Sequence, residues 1–239
     1  MHVGIIQSCY IPWRGYFDFI ASVDLFVLFD DIQYPYGRSW RNRNQIKAST
    51  GLKWLTVPVK AGSAGTPIDQ VLIGTPEIPW QTLHQRILKD SLGKAPYFKE
   101  AMDIWEEAVS GAGMYLSDLN LHLLRSICHY LKITTPIVAS RRYAAQGVKT
   151  ARLIDLLRKV GATSYLSGPA ATAYLDEDAF RQAGIGLSYK TYDYEPYPQL
   201  WGKFEGAVTV LDLIANCGSE SRRFIDSLSP DTVSIPPAR

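Results

Sequence analysis

Two short apolar runs, residues 2–6 and 25–29, flank a turn and one amphipathic stretch, and this spacing decides what the chain can fold into. The segment Pro12-Trp13-Arg14-Gly15 breaks the first run. Residues 16–23 then place Phe17, Ile20 and Val23 on one side of a helix, and Asp30-Asp31 closes the second run. Strand, helix and strand at this spacing make a βαβ unit of a buried parallel sheet. Ligands of such sheets sit beyond the carboxyl ends of the strands. Residues 7–10 and 30–34 are therefore expected at one edge.

The remainder continues the alternation after an interruption. Strands are expected over 54–59 and 68–73, then three amphipathic helices over 80–92, 98–109 and 116–131. A second α/β run follows: strand 137–140, helix 150–160, strand 164–167, a helix from about Ala170 and strand 186–192, with a last apolar element over 208–214. The expectation is an α/β fold with a mainly parallel sheet flanked by helices. A helical insertion occupies about 78–132 of a single domain over 1–225, and 226–239 form a loosely ordered tail.

Composition narrows the function classes. With 46% hydrophobic and 20% charged residues the chain can bury a core, and a net charge of +2 is too balanced for bulk binding to nucleic acid or anionic membranes. No stretch approaches the roughly 18 apolar residues of a membrane helix, so membrane insertion is not expected. Three scattered cysteines, Cys9, Cys128 and Cys217, supply neither a CxxC metal pair nor an even disulfide framework, and the N-terminus lacks the pattern of a signal peptide. A reduced, cytoplasmic setting is expected. Fourteen Tyr and six Trp against eight Phe favour rings with a polar handle, suited either to a hydrogen-bonded core or to a pocket for sugar or base faces.

Chemistry concentrates near the N-terminus. DDIQYPYGRSWRNRN, residues 30–44, follows directly from an apolar run. Asp30 and Asp31 at its mouth can bind hydroxyls, a metal or an ammonium group. Arg41 and Arg43 share one face if this stretch is extended, with Asn42 and Asn44 on the other, and two guanidinium forks make a phosphate or carboxylate clamp. A solvated loop whose arginines pair with Asp30 and Asp31 is the alternative. In QSCYIPWRGYF, residues 7–17, Tyr10, Trp13 and Tyr16 can wall a pocket beside free N–H groups at a helix start. The turn resembles that of nucleotidylyltransferases, but no HxGH is present. Cys9 has no basic partner in the sequence that would make it a nucleophile. Arg141, after one strand, and Ser167-Gly168, after another, can add guanidinium charge and close backbone approach to the same edge, or serve as ordinary turn residues. His122 and His129, seven apart on one helix, stand about 10 Å apart, too far to share a metal, and no metal site is expected. His84, early in its helix, qualifies as an acid–base group by its near-neutral titration, although a lone helical histidine is also a common structural residue.

Gln7, Tyr10-Ile11-Pro12-Trp13, Gly15-Tyr16-Phe17, Asp30-Asp31, Gln33-Tyr34, Trp40, Asn42-Arg43-Asn44 and the run 54–59 resemble the WbqC-like family. Trp80, His84, the run 94–98, Tyr165-Leu166-Ser167-Gly168 and Tyr197-Pro198-Gln199 extend the resemblance in order along nearly the whole chain. Ser8-Cys9 departs from it, standing where the family more usually has Pro and an aromatic. The resemblance implies a place in bacterial O-antigen and related surface polysaccharide synthesis, where a glycine-transferase role has been suggested for some members. It implies an acyl- or aminoacyl-transferase, such as a glycyl-transferase, acting on an amino sugar or nucleotide-sugar. An activated donor, free or carrier-bound, would supply the acyl group, and the sequence itself demands no cofactor. His84, Asp30 or Asp31 would serve as base. Gln7, Tyr10, Trp13, Gln33, Trp40, Arg41, Asn42, Arg43, Arg141, Ser167 and Gly168 would bind substrate. A nucleotide-dependent ligase or transferase of another class, and a non-catalytic carbohydrate-binding protein of the same pathway, are the alternatives.

Overall fold

Strands β1 (His2–Ile6) and β2 (Leu25–Leu28) pair in parallel through helix α1 (Arg14–Ala21), Val3 opposite Leu25 through Ile6 opposite Leu28. The computed structural model describes residues 1–35, 37–60 and 62–237. Two close contacts explain how α1 lies so near the sheet. A Cβ on Gly4 would stand 2.4 Å from Phe19 Cε1, and one on Gly15 would stand 2.4 Å from Trp13 Cζ2. A side chain at either position would push the helix off the strand or drive the Trp13 ring away from the helix start.

Next comes an antiparallel hairpin, β3 (Arg43–Ala48) and β4 (Gly51–Thr56), which forms its own two-stranded sheet. Helices α2 (Trp80–Leu92), α3 (Phe98–Gly111) and α4 (Leu116–Tyr130) follow, and then β5 (Ile137–Ala139), α5 (Lys149–Lys159), β6 (Ser164–Ser167), α6 (Glu177–Ala183), β7 (Gly186–Tyr189), α7 (Val210–Cys217) and β8 (Thr232–Ile235). The six-stranded sheet runs β5-β2-β1-β6-β7-β8, with only β8 antiparallel to its neighbour. This is an α/β fold, mostly parallel.

Period-two alternation divides the core. Phe26, Leu28 and Leu166 face the cluster built by α1, the three middle helices and α7, whereas Val3, Ile5, Val27, Tyr165 and Leu187 face α5 and α6. Almost the whole of α7 is buried, including Asp212, as expected of a helix apolar nearly all round.

Three expectations are corrected, and one strand lies where none was expected. Residues 68–73 are not a strand: Ile68 and Val71, each 1% exposed, bury at a spacing of three, and Ile68–Gln70 is a 3-10 helix. The strand β3 was not anticipated, because apart from Ile46 and Ala48 its residues are polar. The helix expected from about Ala170 divides into a 3-10 helix, Pro169–Ala173, and α6, whose N-cap Asp176 accepts the Ala179 N–H. The tail is not loose at residues 232–235, which pair with β7; Ala238 and Arg239 lie outside the described residues.

The loop before α7 is fastened through a buried carboxylate. Asp212, 1% exposed, accepts from Tyr197 Oη at 2.9 Å and Gln199 Nε2 at 2.7 Å, while Lys47 Nζ donates to Gln199 Oε1 at 2.8 Å. The other Asp212 oxygen has no partner among the described residues. Burial pushes its pKa up to about 6. The folded state then holds this proton more tightly than the unfolded chain, so this group's contribution to stability is greatest near pH 4 and declines as pH rises to 6. Asp212→Asn is expected to remove that decline, measured by urea unfolding at pH 4, 5, 6 and 7.

Candidate functional site

Chain direction across the sheet reverses between β1 and β6. The β1–β2 connection passes over one face by α1, and the β6–β7 connection passes over the other by α6. Loops leaving the carboxyl ends of β1 and β6 therefore diverge and leave a crevice. A cavity of about 680 Å³ lies there. Its walls are the end of β1 with the residue after it (Ile5, Ile6, Gln7), Phe29 and Ile32 after β2, the approach to α5 and its first turn (residues 147–150, Arg152, Leu153) and the end of β6 with the glycine after it (Tyr165, Ser167, Gly168).

Much of the wall is apolar, and the polar groups gather at two ends. At one end Arg152 Nη2 donates to the Asp31 carboxylate at 2.7 Å and to the Asp31 carbonyl at 3.2 Å, with the guanidinium 5.4 Å from the Phe29 ring centre. Asp31 also accepts from Ser140 Oγ. With both partners in place, Asp31 anchors Arg152. Beside it α5 begins after Val148, which offers no side-chain cap, and its first turn holds no acid. The leading N–H groups are thus free for an acceptor from outside. At the other end Ser167 Oγ and Tyr165 Oη meet at 3.2 Å.

Gln7 enters the cavity wall from β1 with its orientation fixed from behind. Arg41 Nη2 donates to Gln7 Oε1 at 3.0 Å and Arg41 Nη1 to Cys9 Sγ at 2.8 Å. Burial pushes the Cys9 thiol pKa up, against the pull of Arg41, which disfavours a nucleophilic thiolate. Asp30, 4% exposed, fastens the same loop: it accepts the Ser8 N–H at 2.8 Å and the Ser117 hydroxyl from α4. Asn120 completes the fastening, donating to Ser8 Oγ at 2.9 Å and to the Arg41 carbonyl at 2.8 Å. Burial raises the Asp30 pKa, opposed by these hydrogen bonds.

The other anticipated residues are placed elsewhere. His84 is 1% exposed and does not line the cavity. Its Nε2 meets the Thr56 carbonyl at 3.1 Å and its Nδ1 meets Tyr10 Oη at 2.9 Å, while Trp105 Nε1 donates to the same Tyr10 oxygen at 2.9 Å. A carbonyl only accepts, so Nε2 carries the proton and the Tyr10 hydroxyl donates to Nδ1. The imidazole is neutral and saturated, and burial pushes its pKa down to about 4. It is not placed to act as a base on a ligand in the cavity. Trp13 packs edge-on against Tyr192, 5.0 Å between centroids. Asn42 donates to the Val57 carbonyl, and Asn44 donates to those of Tyr10 and Ile11, holding the latter at φ 36°. Arg43 lies 3.8 Å over Trp54, which pairs with the half-exposed Trp40. Gln33 bridges to Pro67, and Arg141 is forked onto Asp69.

Of the residues singled out from sequence, Gln7, Ser167 and Gly168 line the cavity, with Asp31 and Arg41 one contact behind. Lys149, Thr150 and Arg152 were missed. The available signal was the helix expected over 150–160 directly after a strand, which puts its first turn at the carboxyl edge of the sheet. Among the described residues no group of three or more His, Cys, Asp or Glu is placed to hold a metal ion, and no helix is long and apolar enough to cross a membrane.

Comparison with known proteins gives a match to the WbqC-like protein family over residues 7–224. The chain is also similar to a protein of Mycobacterium tuberculosis (strain ATCC 25618 / H37Rv) named "Uncharacterized protein Rv1507c", 44% identical over 227 residues, which cover 93% of this chain and 96% of that one. No solved structure matches.

Proposed function

The chain belongs to the WbqC-like protein family, and from that membership and its cavity we propose that it is an acyl- or aminoacyl-transferase acting on an amino sugar, cytoplasmic and serving surface polysaccharide synthesis. The observation that carries this reading is the cavity at the sheet's reversal point, where apolar wall and directed polar groups meet as a small-molecule site requires. Gln7 and Ser167 offer an amide and a hydroxyl to sugar oxygens, and the apolar wall of Ile5, Ile32 and Leu153 accepts the less polar parts of the substrates.

Among the described residues no carboxylate or imidazole lines the cavity, which shapes the proposed step. The amine nitrogen of the sugar bonds to the carbonyl carbon of an activated donor. The bond from that carbon to the leaving group breaks, and the amine proton ends on the departing group. The protein contributes by holding amine and carbonyl together in the reactive geometry. Purified protein incubated with nucleotide-linked amino sugars and activated glycine is expected to give N-acylated sugar, detected by mass spectrometry. Gln7→Ala should slow the reaction about tenfold, and Trp13→Ala, remote from the cavity, should leave the rate per folded molecule unchanged. Failure of folded wild-type protein to acylate any amino sugar of the panel would sink the proposal. The uncapped start of α5 beside two cations favours a second reading, a ligase that first activates the acyl group with a nucleotide. Release of pyrophosphate or nucleoside diphosphate in step with product separates the two.

A further inference from the structure

We infer that the polar groups of this cavity form a subsite for a diphosphate ester. The inference rests on the reading of the cavity as the substrate site, and it is independent of acyl transfer. The charged groups lining the cavity are Lys149 and Arg152, with no Asp or Glu among the lining residues. Among the described residues Arg152 donates through Nη2 alone, to Asp31. Lys149 forms no ion pair among the described residues.

A second observation, at the opposite wall, asks for an acceptor too. Tyr165 and Ser167 are each 3% exposed and lie two apart on β6, so both point to the α5 side of the sheet. Their hydroxyls hold two protons but share one hydrogen bond, at 3.2 Å. Whichever donates, the other proton has no acceptor among the described residues. A buried hydroxyl without an acceptor is costly, and an oxygen of a bound ligand relieves it. Two cations, free helix N–H groups and a spare hydroxyl call for several anionic oxygens together. A single carboxylate supplies two such oxygens and one charge. A diphosphate supplies more of both.

Two substrates carry that chemistry, a nucleotide-linked sugar as acceptor and coenzyme A as acyl carrier. Calorimetric titration of the full chain with inorganic pyrophosphate, UDP-N-acetylglucosamine and coenzyme A is expected to show binding of pyrophosphate and of at least one ester. Arg152→Gln and Lys149→Ala should each weaken it about tenfold, and Tyr165→Phe should weaken it several-fold. Lys149 is exposed, so its variant carries the test even if Arg152→Gln fails to fold. Which ester binds identifies the source. No binding of any of the three by folded wild-type protein, or unchanged affinity in Lys149→Ala and Tyr165→Phe, overturns the subsite. Binding that depends on these residues, without acylated product, leaves the subsite standing and removes the transferase reading.

Discussion

Replacing His84 with Ala is expected to destabilise the protein by about 2–4 kcal/mol while leaving turnover per folded molecule intact. The imidazole is one member of a buried relay in which the Trp105 N–H donates to Tyr10, Tyr10 to His84 Nδ1, and His84 Nε2–H to the Thr56 carbonyl. It also fills space against the Trp80 and Trp105 rings, at 5.1 and 6.3 Å between centroids. Alanine leaves a cavity between two tryptophans, a tyrosine hydroxyl without an acceptor and a strand carbonyl without a donor, and such losses within one network reinforce one another. Urea unfolding at pH 7 measures the stability loss, and product formation normalised to folded protein tests the second clause. Loss of turnover in a folded variant would restore His84 to the catalytic machinery and contradict the placement described above.

The same residue sets a pH dependence of opposite sign to that of Asp212. Burial holds the folded His84 pKa at about 4, below the ordinary 6.5, so the unfolded chain binds the proton more readily. Its contribution is complete above pH 6.5 and is lost as pH falls towards 4. The Asp212 contribution moves the other way over pH 4 to 6. Wild-type stability should therefore vary less across this window than either group alone dictates. His84→Gln and Asp212→Asn should tilt the profile in opposite directions, a result that uniform acid denaturation would not give.

The adjacency of β1 and β2 was legible because apolar runs at βαβ spacing have few other ways to be buried, and the carboxyl-edge position of residues 7 and 31 follows from it. What the sequence could not separate was binding from fastening. Asp30, Asn42 and Asn44 beside an apolar strand have the composition of a ligand site, yet each is spent on the protein's own backbone or hydroxyls. The partners that decide the matter for the β1 loop, Ser117 and Asn120, arrive from α4, some ninety residues later in the chain. The cavity itself was illegible for the same reason. One wall is the start of α5, a helix expected over 150–160 but with no sign of what it would face, and only the crossover of the chain to the far side of β1 brings it over Gln7. Arg152 looked like one more charge on a helix face. Its position on the cavity wall is held by Asp31, 121 positions away.

Asp30→Ala is expected to be the most damaging single change at this edge, about 3–5 kcal/mol, with loss of ligand affinity as a consequence. Among the described residues the carboxylate pairs with no cation; it is held by the Ser8 N–H and the Ser117 hydroxyl, and alanine strands both donors in a buried site. Ser8 is also bonded to Asn120, which holds the Arg41 carbonyl, and Arg41 holds Gln7, so the disturbance runs four contacts from Asp30 to the cavity wall. Asp30→Asn tests whether this is architecture or chemistry. Its side-chain oxygen can still accept one of the two donors, and the charge it removes is one that burial disfavours, as the raised pKa records. The folded carboxyl group prefers its proton, so its charged form weakens the fold increasingly as pH rises above about 4, and neutral Asn escapes that loss. Asn is therefore expected to cost no more than about 1–2 kcal/mol at pH 7 and to bind pyrophosphate within a few-fold of wild type. Should Asp30→Asn fold with wild-type stability and affinity yet lose turnover altogether, the carboxylate would be taking part in the reaction, and the anchoring role argued for it would fall.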